Sequence, residues 1–280
     1  MQLALLTTLT MIAFAANSVF ARLALADGAI DPSSYSLIRL ASGALILVLL
    51  TTRHGVAEAI RNHGSLSGAA ALFVYAAGFS FAYLALDTGM GALILFACVQ
   101  ATMIGWSVYK GDRPSGLEWL GLVIAFAAFV GLVSPGLTAP DPIGTALMVA
   151  AGIAWGIYSL IGKRAENPLM ATAGNFVLSV PMAIALLVIF VDQITATPFG
   201  VAMAIASGAL TSALGYALWY RCLRQLTATK AAVVQLTVPA IATLGGIVFS
   251  AEVLTLRLAL FSALILGGVA VTILAKQKRI

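Results

Sequence analysis

The chain has 280 residues, of which 61% are hydrophobic and 9% are charged, and its formal net charge is +5. A soluble domain carries roughly 45–50% apolar and about 25% charged residues. The composition therefore excludes a soluble globular protein and predicts a protein that lies in lipid, as does the mean hydropathy of +1.05. We assign the excess of positive charge to the cytoplasmic side of a membrane protein, and no nucleic-acid partner is predicted.

Ten apolar segments follow one another along the chain, each near the roughly 20 residues that cross a hydrocarbon core. They span residues 3–25, 33–52, 66–86, 89–109, 116–134, 141–162, 168–190, 198–222, 228–250 and 256–275. Turn residues separate them, as at Asp31-Pro32 and Asn167-Pro168. The predicted fold class is therefore an all-α integral membrane protein with ten transmembrane helices.

The basic residues predict the orientation of these segments. Twelve of the fifteen Lys and Arg residues fall in connections or span ends on one side of the membrane. Positive charges stay cytoplasmic, so this side is predicted to be the cytoplasmic side. With ten spans, both termini lie there, and the predicted location is the cytoplasmic (inner) membrane.

A nine-residue pattern occurs once in each half of the chain. Residues 14–22 read FAANSVFAR and residues 155–163 read WGIYSLIGK, which match in the order of aromatic, small, polar, Ser and cationic positions. A second echo aligns Gly91, Gly105 and Gly111 with Ala231, Gly245 and Ala251. Because five spans per half is an odd number, the second half enters the membrane from the opposite side. Residues 1–137 and 138–280 are therefore predicted to be two inverted five-helix repeats around a central cavity.

Loose motifs in both halves resemble one known repeat. The first half has the segments 83–86 and 91–95, then an acidic turn at Asp112; the second has 220–223, 230–234, Val238-Pro239 and Glu252. In this the chain resembles the EamA repeat of the drug/metabolite transporter superfamily, and it is similar to amino-acid exporters of the YddG type. The resemblance implies a ten-helix transporter with inverted repeats and a central substrate cavity.

The fourth span departs from that family pattern. EamA repeats usually carry a proline in the middle of the fourth helix of each half. The second half has Pro239, which is expected to allow bending, whereas the first half has Cys98-Val99-Gln100. We therefore expect a straighter fourth span, with the Gln100 amide near the middle of the membrane.

Polar and aromatic side chains at mid-depth are the candidates for a substrate site, because a lipid-facing helix would not tolerate them. Tyr75, Phe79 and Tyr83 recur at i, i+4 and i+8, which places them on one helical face, either as a cavity wall or as packing. Asn17 either faces the cavity or bonds across helices. Gly152 and Gly156 predict a close helix contact beside Trp155. The candidate substrate-binding residues are Asn17, Tyr75, Phe79, Tyr83, Gln100, Trp155, Tyr158, Ser212 and Tyr216.

Arg22 and Arg39 lie near the outer ends of the first two spans. Long basic side chains at such positions extend to the interface, so pairing with Asp27 or Asp31 is the expected arrangement. A role in an outer gate is the alternative hypothesis.

All ten acidic residues lie in loops or at span ends. Proton-coupled transporters commonly use a carboxylate at mid-depth as a relay, and none is found here. The sequence therefore disfavours antiport of cationic drugs against protons. It favours a neutral or zwitterionic solute held by amides, hydroxyls and aromatic faces.

The predicted function is secondary transport: export of small metabolites, with amino acids as the favoured class, by alternating access. The alternatives are export of another metabolite or drug-like solute, and a non-transporting membrane subunit. No enzymatic activity, catalytic residue, metal site or cofactor is predicted, because the two histidines share one loop and the two cysteines lie in apolar runs. The expected partners are a small-molecule substrate and the lipid bilayer. The sequence does not determine the oligomeric state and is compatible with a monomer.

Overall fold

The computed structural model describes residues 2–51, 56–111, 113–136, 139–163, 165–223, 225–226 and 234–279. Within these ranges the secondary structure is helical apart from one isolated β-bridge between Ile30 and Ala196. The predicted turn residue Asp112 and four predicted cytoplasmic cations (Arg53, Arg164, Arg224 and Lys230) lie outside the described residues. The ten apolar helices are α1 (Gln2–Leu25), α2 (Pro32–Leu50), α3 (Leu66–Ala82), α4 (Thr88–Tyr109), α5 (Gly116–Val133), α6 (Pro142–Gly162), α7 (Pro168–Ile189), α8 (consecutive pieces Pro198–Ala206, Ser207–Leu214 and Gly215–Leu223), α9 (Val238–Ser250) and α10 (Leu256–Arg279).

These helices account for the ten predicted segments. Eight of them are long and apolar enough to cross a membrane, and α3 and α9 are shorter apolar helices. The protein is therefore an all-α membrane protein. Helix α3 ends at Ala82 rather than at residue 86, and residues 228–233 of the ninth predicted segment are outside the described ranges.

The fourth helices of the two halves, α4 and α9, differ because only α9 contains a proline. Helix α4 is continuous from Thr88 to Tyr109, in line with its missing proline. In the second half, the helical residues Val234 and Gln235 are followed by a turn at Leu236 and Thr237, and α9 begins at Val238 with Pro239 in its first turn. The predicted span is thus interrupted next to Pro239. A proline fits that position, where its missing N–H would have no intrahelical partner in any case.

The helices pair in a pattern that is unchanged when the halves are exchanged. Helix α1 packs against α8 and α9, as α6 packs against α3 and α4. Helix α2 packs against α8 as α7 packs against α3, and the other large contacts join α2 with α7, α4 with α9 and α5 with α10. The helices α4 and α9 are also followed by aligned residues with positive φ, Gly111 at 98° and Ala251 at 51°. Two structurally related halves would pack in this way.

Small residues allow α6 to approach α4 closely. A Cβ atom on Gly152 would lie 2.6 Å from Cβ of Cys98, and one on Gly156 would lie 2.7 Å from Cβ of Thr102. Both separations are shorter than a van der Waals contact, so these positions require glycine. The Gly-x-x-x-Gly pattern thus brings Trp155, which lies between the two glycines, to a tight helix interface.

Asp31 joins the start of α2 to the connection before α8. Its Oδ1 accepts hydrogen bonds from the Ser33 hydroxyl and from the Ser34 backbone N–H (2.9 Å). Its Oδ2 accepts one from the Thr195 N–H (3.1 Å). Burial would raise the pKa of this carboxyl, but the hydrogen bonds outweigh it and lower the pKa below its ordinary value.

Asp31→Asn is expected to lower the free energy of unfolding by about 1–2 kcal/mol at pH 7, because the amide places a donor opposite the Thr195 N–H. Since the folded-state pKa is lowered, the carboxylate stabilises the fold above its unfolded-state pKa, and this contribution is lost as pH falls through the folded-state value. Thermal unfolding in detergent between pH 7 and pH 3 should show the difference between wild type and variant shrinking at the acidic end. Asp192→Asn, at an exposed acid, is the control; a pH-independent difference would contradict the assignment.

Candidate functional site

A small cavity lies between α1, α3, α4, α6 and α8, so both halves of the chain contribute to it. Its volume is about 20 Å³, which is room for about one water molecule. The lining combines aromatic rings with an amide and hydroxyl groups. The lining residues are Phe14, Asn17, Ser18, Tyr75, Phe79, Leu95, Phe96, Trp155, Thr211, Ser212 and Tyr216.

The structure brings most of the predicted site residues to this one cavity. Those that line it are Asn17, Tyr75, Phe79, Trp155, Ser212 and Tyr216. The other three do not line it: Tyr83 donates to the Thr88 carbonyl (3.3 Å), Tyr158 stacks on Trp155, and Gln100 is buried on α4. A role in binding stays a prediction for all nine residues.

Asn17 connects three helices at the wall of the cavity. Its Nδ2 donates to the Tyr75 hydroxyl on α3 (3.2 Å), and its Oδ1 accepts from the Ser207 hydroxyl on α8 (2.6 Å). The side chain is 6% exposed, so these bonds offset its desolvation. The two alternatives considered for Asn17 therefore hold together: it lines the cavity and it also forms hydrogen bonds between helices.

The middle of α8 is a π-helix from Ser207 to Leu214, which the sequence analysis did not predict. A π-helical turn is wider than an α-helical turn and changes which side chains share a face. Here the adjacent residues Thr211 and Ser212 both line the cavity. Gly208 lies in the same segment, where a Cβ atom would overlap the backbone carbonyl of Arg39. The sequence signal was a run of small and hydroxylated residues in an apolar span.

Trp155 is the centre of an aromatic cluster around the cavity. Its ring centroid lies 4.8 Å from that of Tyr75 and 5.0 Å from that of Tyr216. On its own helix it stacks on Tyr158 at 5.4 Å. The indole thus joins α3, α6 and α8, the helices that carry most of the aromatic wall.

Arg39 does not extend to the interface as expected. The residue is 2% exposed; its Nη2 donates to the Tyr75 hydroxyl (2.8 Å) and its Nε to Ser212 Oγ (3.4 Å). The guanidinium carbon lies 4.7 Å from the centroid of the Phe79 ring. Because α2 begins at Pro32, Arg39 lies about 10 Å along the helix, at 1.5 Å per residue. That depth, readable from Asp31-Pro32, was the signal for an interior position.

Arg22 forms ion pairs at one end of the helix bundle, but not with the expected Asp27 or Asp31. Its Nη2 lies 3.3 Å from Asp87 Oδ1, and its Nε lies 3.3 Å from Glu252 Oε1. Glu252 also accepts from the Thr88 backbone N–H (2.8 Å) and hydroxyl (2.8 Å). These four residues, termed the Arg22 cluster, tie the end of α1 to the start of α4 and to the α9–α10 connection.

Comparisons with known proteins agree with this architecture. Residues 142–274 match the model of the EamA-like transporter family. An uncharacterized protein of Pseudomonas aeruginosa is 45% identical over 276 residues, which cover 98% of this chain and 96% of that protein. An uncharacterized transporter of Archaeoglobus fulgidus is 27% identical over 84% of each chain.

Two further similarities are more distant. The threonine/homoserine exporter RhtA of Escherichia coli is 26% identical over 179 residues, 61% of this chain and 59% of that protein. A crystal structure of a protein with 19% sequence identity superposes with a TM-score of 0.67, covering 96% of this chain and 99% of the other. At that identity the superposition shows a shared fold.

Proposed function

The chain belongs to the EamA-like transporter family, and on that premise we propose that this membrane transporter exports amino acids across the cytoplasmic membrane by alternating access. The observation that carries the proposal is the cavity between the halves, lined by the Asn17 amide, by hydroxyls and by aromatic rings. Such groups can hold a small polar solute within an apolar bundle. The similarity to a threonine/homoserine exporter supports threonine and homoserine as the first candidates.

The proposed architecture is two inverted repeats, residues 1–137 and 138–280, with both termini in the cytoplasm. The pairing of the helices supports it, because the large contacts between helices form the same pattern when the two halves are exchanged. The aligned positive-φ residues Gly111 and Ala251 support it independently. In this orientation the Arg22 cluster lies at the outer side.

The proposed mechanism is a rocking of one half against the other around the cavity. A cavity of about 20 Å³ is too small for an amino acid, so the helices around it must move apart to admit one. The Arg22 cluster joins α1 of the first half to the α9–α10 connection of the second. Separating the halves at this end would open the site outward, while the other end stays packed.

Transport is proposed to proceed without a carboxylate proton relay in the membrane. Among the residues that line the cavity there is no Asp, Glu or His. The buried acids among the described residues accept hydrogen bonds at helix ends, as Glu118 does in the capping box of α5. The solute would then move down its own gradient.

The test is counterflow of labelled L-threonine and L-homoserine in proteoliposomes, with and without a pH gradient. We expect exchange that the gradient leaves unchanged, with protein-free liposomes as the control. Accumulation driven by the gradient would contradict the uncoupled mechanism. Absence of flux for any amino acid, with a folded protein, would contradict the substrate class and favour another metabolite or a non-transporting subunit.

A further inference from the structure

Arg39 is a buried cation without an acidic partner among the described residues. Both ion pairs found there belong to Arg22. Asp31, the residue that caps the start of α2, accepts hydrogen bonds from the backbone N–H groups of Ser34 and Thr195 instead. A charge in the interior of a membrane protein is costly unless it is compensated, and such residues commonly mark a substrate pathway.

The Arg39 guanidinium retains unused donor capacity. Its Nη2 and Nε each make one hydrogen bond, whereas Nη1 is buried with no hydrogen-bond partner in the described part of the chain. The rings of Tyr75 and Phe79, at 4.9 and 4.7 Å from the guanidinium carbon, hold the group in place. Buried donors without an acceptor indicate that an acceptor is supplied from elsewhere.

Arg39 acts on the cavity through residues that line it. It contacts Tyr75, Phe79 and Ser212, all of which belong to the lining. A phenol oxygen has one O–H donor and two acceptor lone pairs. The Tyr75 oxygen accepts from both Arg39 and Asn17, so its own O–H remains to donate. The cation thereby turns the Tyr75 hydroxyl into a directed donor beside a positive charge.

We infer that Tyr75 and Arg39 recognise the carboxylate of the transported solute. The inference rests on the proposed transport function and adds the substrate group that the site selects. The Tyr75 O–H donates to the carboxylate, and Arg39 is a positioning residue that orients this hydroxyl and supplies the compensating charge. A solute without a carboxylate would leave the buried cation uncompensated, so the site discriminates against it.

The test measures selectivity with compounds that differ in one charged group. Counterflow of labelled L-threonine is measured against four unlabelled competitors: L-threonine, 3-hydroxybutyrate (no ammonium), L-threoninamide and 1-amino-2-propanol (no carboxylate). In the wild type, the two carboxylates should compete about 10- to 100-fold more strongly than the two compounds without one, as expected for charge-assisted hydrogen bonds.

Two variants at Arg39 assign the discrimination to this side chain. Arg39→Gln should weaken threonine binding by about 10- to 100-fold and make the four competitors nearly equal, whereas Arg39→Lys should restore the carboxylate preference because it restores the charge. A merely structural role would reduce flux without changing the order of the competitors. An Arg39→Gln protein that keeps the wild-type order would overturn the inference. If that variant does not fold, Tyr75→Phe decides: loss of the preference supports the inference and an unchanged preference opposes it.

A separate readout distinguishes failure of this inference from failure of the proposed function. If the wild type moves no amino acid, thermal unfolding of the purified protein is measured with lactate, benzoate and succinate and with their amides. Stabilisation by the acids but not by the amides, lost in Arg39→Gln, would support carboxylate recognition. Equal effects of acids and amides would overturn it, whatever the substrate.

Discussion

Trp155→Ala is expected to reduce solute flux by about 100-fold while the protein stays folded. The indole contacts Tyr75, Tyr158 and Tyr216 and forms part of the cavity wall. An aromatic contact contributes about 0.5–1.5 kcal/mol beyond its buried area, so losing the contacts of the indole with a bound solute, together with the ring positions that it fixes, should reduce flux by roughly two orders of magnitude. The measurement is amino-acid counterflow with the purified variant in proteoliposomes.

The matched control for this substitution is Trp119→Ala. Trp119 lies on α5 and is 51% exposed, so the same chemical change is made away from the cavity. Its flux should stay within about twofold of wild type, since exposed substitutions have small effects. Trp155→Phe keeps an aromatic face and should retain intermediate flux. A folded Trp155→Ala protein with normal flux would remove the aromatic cluster from the substrate path.

Glu252→Ala is expected to open the end of the bundle that the Arg22 cluster closes. The substitution removes the ion pair with Arg22 and the hydrogen bonds from Thr88. Charge-assisted hydrogen bonds contribute about 1.5–3 kcal/mol, and Arg22 is only partly exposed. The open population should therefore rise by about 10- to 100-fold.

A cysteine at Ser18 reports this opening, because Ser18 lines the cavity on α1. In a background with Cys98→Ala and Cys222→Ala, the rate of Ser18→Cys modification by a membrane-impermeant maleimide from the outside is compared with and without Glu252→Ala. The control is Asp192→Asn, which removes an acid at an exposed position of the same end. An unchanged rate in Glu252→Ala would show that the Arg22 cluster does not hold this end closed.

Local sequence patterns were sufficient for the elements and for part of the site. Apolar segment lengths located the ten helices, and proline after a capping residue marked the starts of α2 and α7. The i, i+4 spacing placed Tyr75 and Phe79 on one wall, where both line the cavity. In contrast, Tyr83 continues the same stripe and packs against Phe79, but its hydroxyl donates to the Thr88 carbonyl beyond the cavity. The pattern shows which residues share a face, but not how far along that face the cavity extends.

The sequence alone determined what depends on neighbouring residues: a lipid environment, helical segments, their faces and their membership in a transporter-like repeat. Only the tertiary structure decided which faces meet. The bond from Ser207 to Asn17 joins residues 190 positions apart, and that from Arg39 to Ser212 joins residues 173 apart. Helical periodicity describes one helix at a time, whereas these contacts depend on how α1, α2 and α8 pack. For that reason Arg39, assigned from its position in the chain to the rim, is found beside the cavity.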